Sequence, residues 1–263
     1  MGGAGGRVNS AWQAFADECA RWHALGREVE FWWRDDDATQ PIPALIRLLA
    51  LAKSAAVPVA LAVVPEAATA ALCTGLSSAV SLLQHGVDHR NRAATGERKT
   101  EFSDQEPLQA ALARLAQGRA QLQALSAGRS LDVLVPPWNR LSSRLIAQLP
   151  RAGLSGLSRY GARDAVSAAQ GVQQLNAHVD IIAWNAGRGF VGEEAALTLA
   201  VRHLCARRTR LADSSEATGW LTHHACHDEA AWRFLGELFD VTRSLPGVRW
   251  IDAREFFAGR AAA

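Results

Sequence analysis

Long apolar runs are missing from this chain: no stretch approaches the roughly 18 residues needed to cross a membrane. Charge of one sign is missing too. Lys and Arg number 28 against 26 Asp and Glu, a formal net charge of +2, so there is no long-range pull toward nucleic acid or anionic lipid. The basic residues are scattered, and Arg207, Arg208 and Arg210 read as the solvated end of a helix. Cysteine is sparse. Cys19, Cys73, Cys205 and Cys226 make no C-x-x-C pair and are too dispersed for a disulfide framework, so buried free thiols are expected. The start, Met1-Gly2-Gly3-Ala4-Gly5-Gly6-Arg7, lacks the apolar segment of a secretory signal. Gly6 also stands where acylation at Gly2 would need Ser or Thr. There is no internal repeat. A cytoplasmic protein with no nucleic-acid or membrane partner is the expectation.

What is present is a length of 263 residues with 49% hydrophobic content. That suits one large domain or two small ones, and a barrel of alternating strands and helices often has about 250 residues. A first helix is expected over 11–25, capped by Ser10 and stopped by Gly26, in an N-terminal helical segment over 1–28. The aromatic-rich run 29–34 reads as a strand that delivers Asp35-Asp36-Asp37. Pro41 and Pro43 open a helix with Leu45, Leu48, Leu49 and Ala52 on its apolar face. The alternation continues with a strand over 57–64, a short Ala-rich helix to Leu72, and a strand over 80–84 that delivers His85. Residues 90–102 are polar and loop-like. Ser103 with Glu106 forms a candidate capping box ahead of a long amphipathic helix carrying Leu108, Ala111, Leu112, Leu115, Leu122 and Leu125.

A strand over 131–135 then ends at Pro136-Pro137, and a helix is expected over 141–149. The stretch 152–178 has no clear period. A strand over 179–184 follows, then a helix with Leu197, Val201, Leu204 and Cys205 on one face. The strand 220–222 ends at His223. A helix after Asp228 turns Trp232, Leu235 and Phe239 inward, and 248–251 is a last strand. Strands alternating with helices imply parallel βαβ units. The residues with chemistry to offer fall just after strands, where ligands bind in barrels and open α/β sheets: Asp35 to Asp37, His85, Pro136 to Asn139, and His223.

His85 and His89 are four apart, so on one helical turn they would share a face and could share a metal. The spacing alone is weak evidence, since two such histidines are often a polar surface. The Asp triplet could be a solvated turn. Yet it ends a strand that should be buried, and adjacent carboxylates repel unless something neutralises them. Two histidines and one carboxylate leave a coordination position open for water, as in a catalytic zinc site. Pro137, Trp138 and Asn139 form either a rigid strand exit or one wall of a substrate groove. His223, or His224 beside it, could donate a proton to a leaving amine. His23, His178 and His203 are expected in helices or loops without partners.

The ordered set Trp33-Arg34-Asp35-Asp36-Asp37-Ala38, Gln84-His85-Gly86-Val87-Asp88-His89, Val135-Pro136-Pro137-Trp138 and Leu221-Thr222-His223 resembles the polysaccharide deacetylase family, the NodB-homology carbohydrate esterases, over about residues 29–251. The resemblance implies an α/β fold, a single distorted (β/α) barrel of about seven parallel strands over 29–258. It implies one divalent metal, usually zinc, held by Asp37, His85 and His89, with Asp36 as general base and His223 as general acid in a metal-assisted amide hydrolysis. The register Asp35/Asp36 for base and ligand stays open. The third motif of the family begins with an Arg that orients the base. Here Val135 stands there, and Arg34 and Arg140 are the candidates to replace it. The implied function is removal of an acetyl group from an N-acetylated sugar or related N-acyl compound. The rivals are a carbohydrate-binding protein without catalysis and an amidase of other specificity.

Overall fold

The computed structural model describes residues 10–257. The Gly-rich start and residue 258 lie outside them. Helix α1 (Ser10–Ala24) forms where Trp12, Phe15, Cys19 and Trp22 recur at helical spacing, and it buries the last three. It packs on α6 (Glu193–Arg208). Glu18 also faces inward, and a buried carboxylate is tolerable only with partners. Arg208 supplies two contacts, at 2.6 and 3.2 Å, and Arg21 a third at 3.1 Å.

Strand β1 (Val29–Ala38) runs on through the Asp triplet instead of stopping before it. Then come α2 (Pro43–Ala55), β2 (Val59–Val63), α3 (Ala70–Cys73), β3 (Val80–His85), α4 (Leu108–Leu125), β4 (Ser130–Val135) and α5 (Ser143–Ile146). The short strands β5 (Gly156–Leu157), β6 (Ser167–Ala169), β7 (Val172–Gln174) and β8 (Val179–Asp180) follow. Next are α6, β9 (Thr218–Thr222), α7 (Glu229–Ser244), β10 (Val248–Trp250) and α8 (Ala253–Phe257).

Three expectations are corrected. The helix over 141–149 breaks into α5 and a 3-10 turn, Leu149–Ala152, because Pro150 has no N–H to continue it. The capping box does not form. Ser103 Oγ accepts from Gln105 N in a local turn, Glu106 is gripped by Arg114 at 2.9 and 3.0 Å, and Pro107 occupies the cap position. The strand over 179–184 shortens to β8, because the Asp180 carboxylate accepts from Ile182 N at 2.9 Å and turns the chain.

Among the described residues the strands form one sheet in the order β6-β7-β5-β4-β3-β2-β1-β9-β8, with β10 paired to β1. All pairs are parallel except β6 with β7. The chain over 172–180 first pairs with β5 as β7, bridges Ala177 to Tyr160, and then pairs with β9 as β8. One crossing segment thus curls the sheet shut into a distorted barrel. On its outer side Phe15, Phe31, Trp220, Phe234 and Trp250 pack with centroids 5.3–6.5 Å apart. Such aromatic pairs each add about 0.5–1.5 kcal/mol beyond burial. Among the described residues no helix is long and apolar enough to cross a membrane. All four cysteines are free, with Cys19 and Cys73 buried and Cys205 and Cys226 only half-buried.

Candidate metal centre

Side chains alternate across a strand, so Arg34 and Asp36 share one face of β1 and Asp35 takes the other. Arg34 grips Asp36 at both oxygens, Nε to Oδ1 at 2.8 Å and Nη2 to Oδ2 at 3.1 Å. Its remaining nitrogen is anchored on Ser158 Oγ (2.6 Å) and Arg159 O (3.2 Å). Arg34 therefore makes the contact that Val135 cannot. The pairing of β1 with β2 slips between Asp35 and Ala38, and Asp37 takes a left-handed φ of 70°. The bulge breaks the alternation and turns Asp37 toward β3.

There Asp37 Oδ1 lies 3.1 Å from His85 Nε2 and 3.3 Å from His89 Nε2. The three ligand atoms all lie within 4.8 Å of one another. His85 ends β3, and its Nδ1 is 3.0 Å from Val135 O. A carbonyl only accepts, so Nδ1 carries the hydrogen, and Nε2 is the ring atom turned to Asp37. Either a proton on Nε2 or a cation held between the two groups satisfies that contact. Burial disfavours charge on His85, yet the hydrogen bond its protonated ring donates to Asp37 and the charges of Asp36 and Asp37 outweigh it and raise its pKa. Burial likewise pushes Asp37 up, and His85, His223 and His89 outweigh it, holding the carboxyl well below its usual range. The donor set of two imidazoles and one carboxylate fits a divalent metal of the zinc type.

His85 and His89 do not share a helical turn. Residues 86–89 are irregular, with Gly86 at φ 58° and His89 at φ 54°. The rings nevertheless converge, with centroids 5.1 Å apart and planes tilted by 47°.

His223 follows β9. Asp35, fully buried, brackets it from both sides. Its Oδ2 accepts from Thr222 Oγ1 (2.6 Å) and His224 N (2.9 Å), and its Oδ1 meets His224 Nδ1 at 2.5 Å. Trp33 Nε1 in turn donates to Thr222 Oγ1 at 2.8 Å. The Trp184 ring stands edge-on to His223 at 4.6 Å and donates to Asp180 Oδ2 at 2.7 Å. Burial raises the pKa of Asp180, with His223 and the Trp184 bond opposing. Nothing in the sequence around Asp180 sets it apart from an ordinary strand residue.

The Trp138 ring lies 4.5 Å from His89, and Trp138 and Asn139 both adopt left-handed backbone, at φ 55° and 58°. Asn139 pins the end of β4 to the end of β5: it accepts from Tyr160 N at 2.7 Å and donates to Tyr160 O at 3.2 Å. Pro137 is buried against Gly86. Trp138 is thus the member of this trio that stands beside the Asp37, His85 and His89 group.

A second group of the same composition lies at the opposite ends of the strands. His178 Nε2 is 3.2 Å from Glu216 Oε2, and His203 Nε2 is 3.9 Å from it. Their rings stack at 3.5 Å with planes 14° apart. His178 and His203 therefore have partners, contrary to expectation. His178 Nδ1 accepts from Gly219 N (2.9 Å), and His203 Nδ1 lies 2.9 Å from Thr218 Oγ1. Glu216 also accepts from Asn176 N and Arg163 N.

No family model matches the chain, and no curated protein matches it. Solved structures do. A protein of Mycobacterium smegmatis assigned as a polysaccharide deacetylase matches with a TM-score of 0.63 and 14% identity, over 89% of this chain and 90% of that one. A family 4 (CE4) esterase of Streptococcus mutans matches at 0.56 and 13% identity over 89% of both chains. A family 4 carbohydrate esterase from Streptomyces lividans, in complex with acetate, matches at 0.53 and 12% over 84% and 90%. The fold is that of the polysaccharide deacetylases and family 4 carbohydrate esterases. At these identities the likeness defines the architecture, and the site must speak for the chemistry.

Proposed function

We propose that the protein is a metal-dependent hydrolase that removes an acetyl group from an N-acetylated sugar or a related N-acyl substrate. The observation that carries this reading is the convergence of Asp37, His85 and His89 beside the Arg34-held Asp36. These three would hold zinc or another divalent cation, which when bound polarises the acyl carbonyl and makes water more acidic. Asp36 accepts the proton of the attacking water. Arg34 occupies one lone pair on each of its oxygens and so fixes the carboxylate's orientation. As the C–N bond breaks, His223 gives a proton to the departing nitrogen, and the products are acetate and a free amine. Trp138 and Trp184, beside His89 and His223, supply the walls against which a sugar ring stacks.

The neighbouring folds are named both as deacetylases and as esterases, and the same groups serve an ester. The four unpaired cysteines support a cytoplasmic location. The test is elemental analysis of the purified protein, followed by assay of wild type and Asp36→Asn on N-acetyl sugars, acetyl esters and cyclic amides. About one divalent metal per chain and acetate release that Asp36→Asn lowers by about 10²- to 10⁴-fold are expected. No metal uptake, or activity unchanged in Asp36→Asn, sinks the reading.

A further inference from the structure

We propose that Glu101 is a positioning residue for His89, doing for that ligand what strand β3 does for His85. The inference rests on reading Asp37, His85 and His89 as a metal centre. Glu101 lies on the loop between β3 and α4 and is fully buried. Its carboxylate collects the N–H groups of three successive residues. Val87 and Asp88 donate to Oε1 at 2.8 and 3.2 Å, and His89 donates to Oε2 at 3.2 Å. Three consecutive N–H groups turned onto one anion form a concave nest, here on backbone that is neither helix nor strand. It requires the left-handed φ of Gly86 and His89 at its two ends. A Cβ on Gly86 would overlap Glu101 Oε2 and come within 2.7 Å of Pro137 Cγ, so glycine is the residue that lets the carboxylate in.

The two histidines are held differently. His85 has its strand pairing and the Val135 carbonyl. His89 sits on irregular backbone, and its own N–H is one of the three that Glu101 binds. Helix α4 secures the carboxylate from behind. Arg114 Nη1 lies 3.4 Å from Glu101 Oε1, Nη2 donates to Glu101 O at 3.2 Å, and the same guanidinium grips Glu106. The order of support runs from α4 through Arg114 and Glu101 to the backbone at 87–89, and so to the His89 ring. Replacing the carboxylate by an amide leaves acceptors for only part of the nest and sets an NH2 against an N–H.

The test is zinc affinity of the purified full chain, read by competition with a chromophoric chelator, with thermal melting of the metal-free protein alongside. Glu101→Gln should bind zinc about 10- to 100-fold more weakly, the range for partners that orient metal ligands. In a His89→Ala background the same change should add almost nothing, because the two act in series. Should Glu101→Gln fail to fold, Glu101→Asp keeps the charge one methylene short and should show an intermediate loss. Wild-type affinity in the folded variant, or an equal loss with and without His89, overturns the proposal while leaving the metal centre standing. A wild-type chain that takes up no zinc overturns the metal centre itself, and this inference with it.

Discussion

The molecule holds two clusters of two histidines and one carboxylate, and their environments assign them opposite work. Asp37, His85 and His89 sit at the C-terminal ends of the strands, and Asp37 and His89 are partly exposed. Their rings are tilted by 47°, so lone pairs from different planes can meet at one point. His178, His203 and Glu216 are all buried at the other ends. Their rings lie nearly parallel at 3.5 Å, and two parallel planes that far apart share no point at which a metal could lie in both. Arg163 and Arg207 add positive charge that holds both of these histidines below their ordinary pKa, after burial itself. Two histidines and a carboxylate thus form a set suited to a cation in one place and a buried packing unit in the other. Ring orientation and neighbouring charge decide which.

The strongest way to break this contrast is to count metal. His85→Gln should reduce bound zinc from roughly one per chain to near zero, whereas His203→Gln should leave it unchanged. Two metals per chain, or loss of metal in His203→Gln, would reverse the assignment. Next in size is the effect on turnover. Asp36→Asn should lower acetate release by about 10²- to 10⁴-fold with zinc still bound. Arg34→Gln leaves Asp36 buried and unpaired, so it should lower activity and also destabilise the fold by about 3–5 kcal/mol, read by urea unfolding. An Arg34→Gln protein as stable and active as wild type would remove the case for the pair.

The lower cluster should speak through pH. Burial, the stacked neighbour and the arginines push His203 down to about 2 from an ordinary 6.5, and His178 is lowered likewise. Between those values the unfolded chain binds protons that the folded chain refuses. Stability is therefore complete above pH 6.5 and falls as pH drops, by at most about 1.4 kcal/mol per pH unit for each histidine. Burial raises Glu216, which acts in the opposite sense above its ordinary 4.5. Two histidines against one carboxyl leave a net loss on acidification. Urea midpoints between roughly pH 4.5 and 7 should show a shallower slope in His203→Gln, and an unaltered slope counts against the account. The smallest effect is expected at Thr222→Val. It leaves Trp33 Nε1 and Asp35 Oδ2 each short of a partner and should cost about 1–3 kcal/mol, with zinc occupancy retained.

Much of this frame was legible because it rests on periodicity. The inward faces of α4 and α7 follow from spacing alone, and so does the placing of Asp35 to Asp37, His85 and His223 at strand ends; on α6 the buried face instead takes in Ala196, Ala200, His203 and Arg207, with Val201 and Cys205 only half-buried. What could not be read depends on partners distant in the chain. Glu101 and Glu216 are single acidic residues in no motif, and each gains meaning only from the backbone amides folded around it. His85-x-x-x-His89 resembles a helical turn because spacing does not reveal a carboxylate fourteen residues after Val87 that holds the loop in another shape. The span 152–178 lacked a period because its strands are two or three residues long and change partners midway.

The bulge in β1 has a consequence for how this chain can vary. Three chemically identical residues stand in a row, yet one clamps the β9 exit, one is locked to Arg34, and one faces the two histidines. Nothing in their side chains distinguishes them; the slip in pairing and a single left-handed residue do. Deleting any one of the three yields the same protein, so a deletion acts on their number alone, whereas a substitution strikes one role. Toward changes of length the triplet is in effect a ruler.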